Sequence, residues 1–357
     1  VRVLHLADRC TDRGGAYVHL LGLIAAERQR GLDVRLAVGR DEGHGAAPCP
    51  LEVVAGLEAR TWSNCDPEPL VRRFRPDIIH LHTIVNPAVL AWAARHPALI
   101  TVQDHRYFCP TRGKWRRDGG VCGEPLGPRL CAACFEDEGY FADIYGLTDA
   151  RLRALHGLEI VVLSAYMRAE LSAAGIDAGR VHVVRPFVHG LAHDAAADGA
   201  PCVLFVGRLS ESKGVADAVE AWRVAALPLP LVFAGTGPLR EKLERRGFEV
   251  LGWLDRARLS AAYRRARVVL MPSRWQEPFG IAGLEALTFG VPVAAWRSGG
   301  IPEWHPGAGL VDWGDVGGLA RAARSLAYAR AEPPQGFERE AAMLKLGAVY
   351  ERVAGRA

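Results

Sequence analysis

The chain has 357 residues, 50% of them hydrophobic and 24% charged, with a formal net charge of +4. That length is comfortable for two domains, and the composition is that of a soluble globular protein. The charge is spread evenly, without the basic stripe of a nucleic-acid binder, and no apolar run approaches the ~18 residues of a transmembrane helix.

The sequence opens on an apolar strand, Val3–Leu6, with no leader-like stretch before it, which sets the expectation of a cytoplasmic protein. Few Lys against much Ala, Arg and Gly fit a bacterial, high-GC source. Further strands are expected at Val34–Val38, Ile78–Leu81, Leu99–Val102, Ile160–Leu163 and Val181–Val184, with helices such as Tyr17–Arg30 and Ala88–Arg95 between them. After the polar, Ala/Gly-rich stretch His189–Pro201 the alternation restarts. Strands are expected at Val203–Val206, Leu231–Ala234, Val250–Leu251, Val268–Met271, Val293–Ala295 and Gly309–Val311. Helices are expected over Val215–Ala226, Arg240–Arg246, Arg258–Arg265, Gly283–Phe289 and, after Pro333-Pro334, Glu338–Val353. Such alternation predicts parallel sheets covered on both faces. We therefore expect an α/β protein of two Rossmann-like domains, 1–190 and 200–335, facing each other across a cleft. The helix from 338 to the end is expected to pack back on the first domain.

Loops that follow parallel strands are where ligands bind in such sheets, and five of them carry chemistry. Arg208 and Lys213 stand in Gly207–Gly214, after the first strand of the second half. Two cations there can clamp a diphosphate. Gly235-Thr236-Gly237-Pro238 lets backbone approach a ligand. Glu277-Pro278-Phe279-Gly280-Ile281-Ala282-Gly283-Leu284-Glu285 places one carboxylate in a loop and the next on a helix. Helix N-termini attract phosphate, and carboxylates accept from sugar hydroxyls. Ser298-Gly299-Gly300-Ile301-Pro302-Glu303 comes last, and Arg13-Gly14-Gly15-Ala16 follows the first strand of the other half. Each alone could be a plain turn or a solvated surface; their order at successive strand ends is hard to attribute to chance.

These motifs, spanning Val203–Glu303, resemble the C-terminal domain of retaining GT-B glycosyltransferases of family 4 (glycosyl transferases group 1). The resemblance implies that Arg208 and Lys213 hold the donor diphosphate and that Glu277 touches the transferred sugar. It further implies that Glu285 binds the ribose, that the amides of Phe279, Gly280 and Ile281 meet phosphate or sugar, and that Gly14, Gly15, Gly207, Gly235 and Gly237 line the donor. The implied partners are a nucleoside-diphosphate sugar, UDP first, and a small-molecule or glycan acceptor, with room left for peripheral membrane contact. No Asp-x-Asp triad is visible, so no catalytic metal is expected. A GT-B 2-epimerase of nucleotide sugars and a catalytically silent nucleotide-sugar binder are the rival readings.

The first half departs from the family pattern at Gln103-Asp104-His105, after the strand Leu99–Val102. Relatives carry His-Asp there, so either Gln103 or His105 takes the histidine's place, and Asp104 and His105 are expected beside the acceptor. His82 and Arg112 are further acceptor-side candidates. Lys114, Arg116 and Arg117 join Arg112 in a local basic cluster, while Tyr107 and Trp115 could stack on a sugar or simply pack.

Cys109, Cys122, Cys131 and Cys134 fall within an insert, residues 109–134, that ends in a CxxC pair. Four thiols so spaced in a cytosolic protein point to a structural metal, zinc first and an iron–sulfur cluster second. Two disulfides or four free thiols are the alternatives.

Overall fold

The computed structural model describes residues 1–44, 46–111, 113–194, 196–197 and 199–355. Two units divide the chain, one of Val1–Phe187 with Glu338–Ala357 and the other of Val188–Phe337.

In the first unit, β1 (Arg2–Thr11), α1 (Gly15–Gln29), β2 (Asp33–His44), β3 (Leu51–Val53), α2 (Glu68–Phe74), β4 (Ile78–His82), α3 (Pro87–Ala93) and β5 (Ala98–Val102) follow in order. They continue with α4 (Pro128–Ala132), α5 (Glu138–Leu155), β6 (Glu159–Val162), α6 (Ala165–Ala173) and β7 (Val181–Val183). The strands form one sheet in the order β3-β2-β1-β4-β5-β6-β7, and every pairing is parallel. The second unit runs β8 (Cys202–Val206), α7 (Val215–Ala225), β9 (Leu231–Ala234), α8 (Arg240–Arg245), β10 (Glu249–Gly252), α9 (Arg256–Arg265) and β11 (Ala266–Met271). It ends with α10 (Ile281–Thr288), β12 (Val293–Trp296), β13 (Leu310–Val311) and α11 (Val316–Leu326). Its parallel sheet has the order β10-β9-β8-β11-β12-β13.

Both orders reverse direction once, beside the first strand of each unit, the doubly wound arrangement with its ligand crevice at the reversal. All five residues of β4 and of β5 are buried, because helices cover both faces of a central parallel strand. Helix starts are set by local chemistry: the side chains of Asn86, Asp137, Ser164, Asp255 and Asp315 cap α3, α5, α6, α9 and α11. β3 escapes a sequence reading because three half-exposed residues carry no period. The insert, residues 109–134, holds α4, and α5 begins just after it at Glu138.

The last helix, α12 (Arg339–Ala354), belongs to the first unit. Its Met343, Leu346, Val349, Tyr350 and Val353 pack with Val3, Leu23, Ile78 and Leu99. A buried polar network sits in that interface. Glu27 accepts from the Tyr350 hydroxyl at 2.6 Å and pairs with His5 Nε2 at 2.7 Å. His5 Nδ1 meets His82 Nε2 at 3.0 Å; His80 meets Tyr350 at 2.8 Å and Thr101 at 2.7 Å. Burial, reinforced by the neighbouring histidines, holds His80 and His82 well below the ordinary histidine range. Neutral His80 and His82 fit these bonds, and of the network's ring nitrogens only His82 Nδ1 is left without a partner. His5, His80 and His82 also hold ligand atoms within 4.8 Å of one another, but all their ring nitrogens except His82 Nδ1 are already bonded to each other or to Glu27, Thr101 and Tyr350.

This network corrects the expectation for His82. It is fully buried and reaches no acceptor, since alternation along a strand covered on both faces exposes neither. Tyr350→Phe should cost about 2–3 kcal/mol, because buried Glu27 and His80 each lose a partner. Urea unfolding measures it, and a change under ~0.5 kcal/mol would mean that the network does not dock α12.

Candidate active site

The reversal in the second sheet lies between β8 and β11, and the loops leaving these strands carry Lys213 and Glu277. After β8 the chain makes a short turn, Glu211–Lys213, then passes through Gly214 (φ 70°) into α7. A Cβ on Gly214 would stand 1.8 Å from the Pro272 carbonyl oxygen, so the two loops touch backbone to backbone. They are also stitched together: the N–H groups of Arg274 and Trp275 donate to the Ser212 carbonyl at 2.9 and 3.0 Å.

Lys213 Nζ donates to Glu277 Oε1 at 2.6 Å and lies 4.4 Å from the centre of the Trp275 ring, a cation–π contact. The Ser273 hydroxyl donates to the same carboxylate oxygen. Glu277 is 3% exposed. Burial pushes its carboxyl up, but the charge of Lys213 and hydrogen bonds from Lys213, Ser273 and Trp275 outweigh it and hold the group below the usual carboxylate range. Glu277 therefore stays ionised beside its ammonium partner at neutral pH, and the stabilisation from that pairing fades only as the pH falls through the depressed value. Arg208 is exposed, and its guanidinium makes no hydrogen bond or ion pair among the described residues. A paired, partly exposed cation and an open one thus stand in the same loop.

The Gly299-Gly300 pair frames Glu277. Gly299 has φ 52°, and a Cβ there would lie 2.1 Å from the Glu277 carbonyl oxygen. Gly300 N–H donates to that oxygen at 2.8 Å, Gly299 N–H to Gln276 Oε1 at 2.9 Å, and Ser298 Oγ to the Trp275 carbonyl at 2.7 Å. Gly235 (φ 147°) leaves room for the loop after β9 to lie on Gly207, whose carbonyl oxygen would be 1.9 Å from a Cβ. Gly237 does the same against Leu209. α10 begins after Gly280 (φ 87°), and its first amides, Ile281 among them, have no intrahelical acceptor. Phe279 is buried, its carbonyl accepting from Trp304 Nε1 at 2.6 Å.

Glu285, one turn into α10, is 5% exposed. Arg256 donates to one of its oxygens at 2.6 Å and the Tyr263 hydroxyl to the other at 2.9 Å. Burial and the adjacent carboxylate drive the Tyr263 phenol well above its ordinary range, so it remains a donor. A ribose could use only the lone pairs these bonds leave. Sequence reasoning missed Arg256, Tyr263, Ser273 and Trp275; Ser273 and Trp275, just ahead of Glu277 in the same loop, were the readable signal.

In the first unit the equivalent reversal lies between β1 and β4. Gly14 (φ 129°) opens α1, and Gly15 is its first residue. Beside them Asp8, 6% exposed, accepts from Tyr17 at 3.0 Å and from Thr83 at 2.5 Å. Thr83 sits at φ 59°, an uncommon left-handed conformation for a β-branched residue. The sequence reading ended the first strand at Leu6 and so passed over Asp8.

After β5 the structure redistributes the expected roles. Asp104 takes Arg106 N–H at 2.9 Å and its guanidinium at 2.7 and 2.8 Å; burial raises the carboxyl, but Arg106 prevails and lowers it. His105 is 2% exposed, with Nε2 3.1 Å from the Tyr166 hydroxyl and Phe108 against its ring. Asp104 is thus paired within its own loop, while His105 Nε2 is bonded to Tyr166 of α6. Gln103 holds a buried amide nitrogen without a hydrogen-bond partner. Tyr107 and Trp115 are packed inside, not presented for stacking. The basic cluster is likewise dispersed: Lys114 pairs with Glu170, Arg116 with Asp118 and Arg117 with Glu136, while Arg112 lies outside the described residues. Cys109, Cys122, Cys131 and Cys134 form no disulfide. No helix is long and apolar enough to cross a membrane among the described residues.

Comparison with known proteins adds to this geometry. Residues 200–328 match the family model Glycosyl transferases group 1. The chain is similar to the 2-deoxystreptamine N-acetyl-D-glucosaminyltransferase of Streptomyces fradiae, 28% identical over 90% of this chain and 80% of the relative. A shorter match is to an uncharacterized 41.2 kDa protein from the cps region of Klebsiella pneumoniae, 34% identical over 28% of this chain and 29% of that protein. Among solved structures, sucrose-phosphate synthase from Thermosynechococcus elongatus superposes with a TM-score of 0.70 at 19% identity, covering 100% of both chains. The Anabaena protein HepE in complex with UDP-glucose superposes at 0.61 and 17% identity, covering 99% of this chain and 98% of that one. This chain has the two-unit α/β fold of GT-B glycosyltransferases, and its second unit carries a match to glycosyl transferases group 1.

Proposed function

We propose that this protein is a retaining glycosyltransferase of family 4 type, moving a sugar from a nucleoside diphosphate, UDP first, to a small-molecule or glycan acceptor. The observation that carries the reading is the Lys213–Glu277 pair at the reversal of the second sheet, with Arg208 open in the same loop. Glu277 accepts from hydroxyls of the transferred sugar, while the remaining Lys213 N–H groups and the Arg208 fork meet the diphosphate. As the bond between the anomeric carbon and the diphosphate oxygen breaks, its electron pair stays on that oxygen. Two fixed cations stabilise the charge that develops there. The acceptor oxygen bonds to the anomeric carbon on the same face, and its proton passes to the departing phosphate. Gln103 supplies the sugar-side hydrogen bond that relatives draw from a histidine. A cytoplasmic site of action is part of the same proposal.

Incubation with UDP-, GDP- and dTDP-sugars and a panel of aminocyclitol, sugar and glycan acceptors tests it. The expected result is acceptor-dependent release of one nucleoside diphosphate, with a product that keeps the donor's anomeric configuration. Inverted product would remove the retaining step; interconversion of sugar nucleotides without acceptor would replace transfer by epimerisation.

A further inference from the structure

From Arg116 to Leu147 no side chain is buried, although α4 and half of α5 fall in this stretch. Leu126 and a few aromatic contacts are its apolar ties; a segment of that length with no buried side chain needs another, and proteins supply one with a disulfide or a metal. Its most chemically capable groups are cysteines, and the backbone gathers them. Cys109 ends the loop after β5, where its N–H donates to the His105 carbonyl at 2.7 Å. Cys122 closes a hairpin in which Trp115 and Val121 form an antiparallel bridge, with its N–H on the Lys114 carbonyl at 2.7 Å. Cys131 and Cys134 flank a turn at the end of α4, N–H to carbonyl at 3.0 Å. Three separate pieces of chain thereby bring Cys131 within electrostatic reach of Cys109, Cys122 and Cys134. Tyr166 of α6 is likewise within reach of Cys109 and Cys122.

A cation is already built in beside them. Lys114, 3% exposed, pairs with Glu170 at 2.9 Å and donates to the Glu124 carbonyl, which also receives the Cys122 thiol at 3.8 Å. Four thiolates around a divalent ion carry a net charge of about −2, and a buried ammonium nearby offsets part of it.

We infer that Cys109, Cys122, Cys131 and Cys134 bind one zinc ion as a closed structural site. The four thiols release their protons to solvent and the sulfurs coordinate the ion. No three of these sulfurs stand within 4.8 Å of one another. Bonds of about 2.3 Å to zinc draw them to roughly 3.8 Å, and an unpacked segment lets the side chains turn that far. The site would tie the insert to the loop bearing Gln103, since Cys109 belongs to both. This inference stands independently of the sugar-transfer reading.

The test uses the full chain, expressed with added zinc and purified without chelator. Elemental analysis should find about one zinc and no iron per chain, and titration with a mercurial should release it as roughly four thiols react. Cys134→Ser should lower zinc content at least about fivefold and speed proteolytic cleavage within 116–137 about tenfold, whereas Cys202→Ser, in β8, keeps both at wild-type values. If Cys134→Ser does not fold, the mercurial titration of the unmutated chain decides alone. Absence of zinc, iron in its place, or an intact mass about 4 Da light from two disulfides would each overturn the assignment.

Discussion

Replacing Lys213 by alanine should lower kcat/KM for sugar transfer about a hundredfold, with the nucleotide's own affinity falling much less. Removal of one fixed charge facing a developing oxyanion costs on the order of 10²–10³ in rate. A second effect adds to it: Glu277, 3% exposed, keeps the Ser273 and Trp275 bonds but loses its counter-charge, so its carboxyl rises. Glu277→Gln should lower turnover more than ~tenfold through loss of its charged contacts. The double variant should be less impaired than the sum of the two singles, because each single change leaves the other partner unmatched, and in Lys213→Ala that partner is the buried Glu277. Strict additivity, or near-wild-type rates in both singles, would sever the pair from catalysis.

Gly214→Ala should be the most damaging single-methyl change in the second unit. The position has φ 70°, and the added carbon would lie 1.8 Å from a backbone oxygen, that of Pro272, which no rotamer change can relieve. Strain in the left-handed region and separation of the two loops together should cost about 3–4 kcal/mol. That corresponds to a fall in Tm of roughly 6–15 °C for a unit of this size. Gly307→Ala is the control, with φ 98° and nothing within 4 Å; it carries the backbone term without the collision. Calorimetry on both separates the two contributions, and equal losses would show that the contact between the loops contributes nothing.

Much of this was legible in the chain because parallel sheets announce themselves. Runs such as Val203–Val206 and Val268–Met271 are strands buried on both faces, and the loops after them can be found by counting. Loop chemistry was legible too: Lys213 and Glu277, far apart in sequence, were picked separately and stand 2.6 Å apart. Sequence could not tell which way a side chain turns once both faces of a strand are covered. His82 reads as an acceptor-side residue yet ends in a core network, bonded to His5, beside His80, whose partner Tyr350 comes from α12 some 270 residues downstream. His105 and Asp104 read as reactive groups, but their nearest neighbours, Tyr166 and Arg106, claim them. The glycine pair at Gly299 reads as a ligand turn, and its φ and contacts reveal it as the support beneath Glu277.

The return of α12 to the first unit has a consequence for how the chain is made. On the ribosome the second unit can complete its sheet while the first still lacks the helix that covers Val3, Leu23 and Leu99. At ~10 residues per second, roughly 15 s separate synthesis of Phe187 from that of Glu338. Throughout that interval Glu27 and His80 lack the Tyr350 hydroxyl, so the earliest part of the protein to be synthesised is the last to mature.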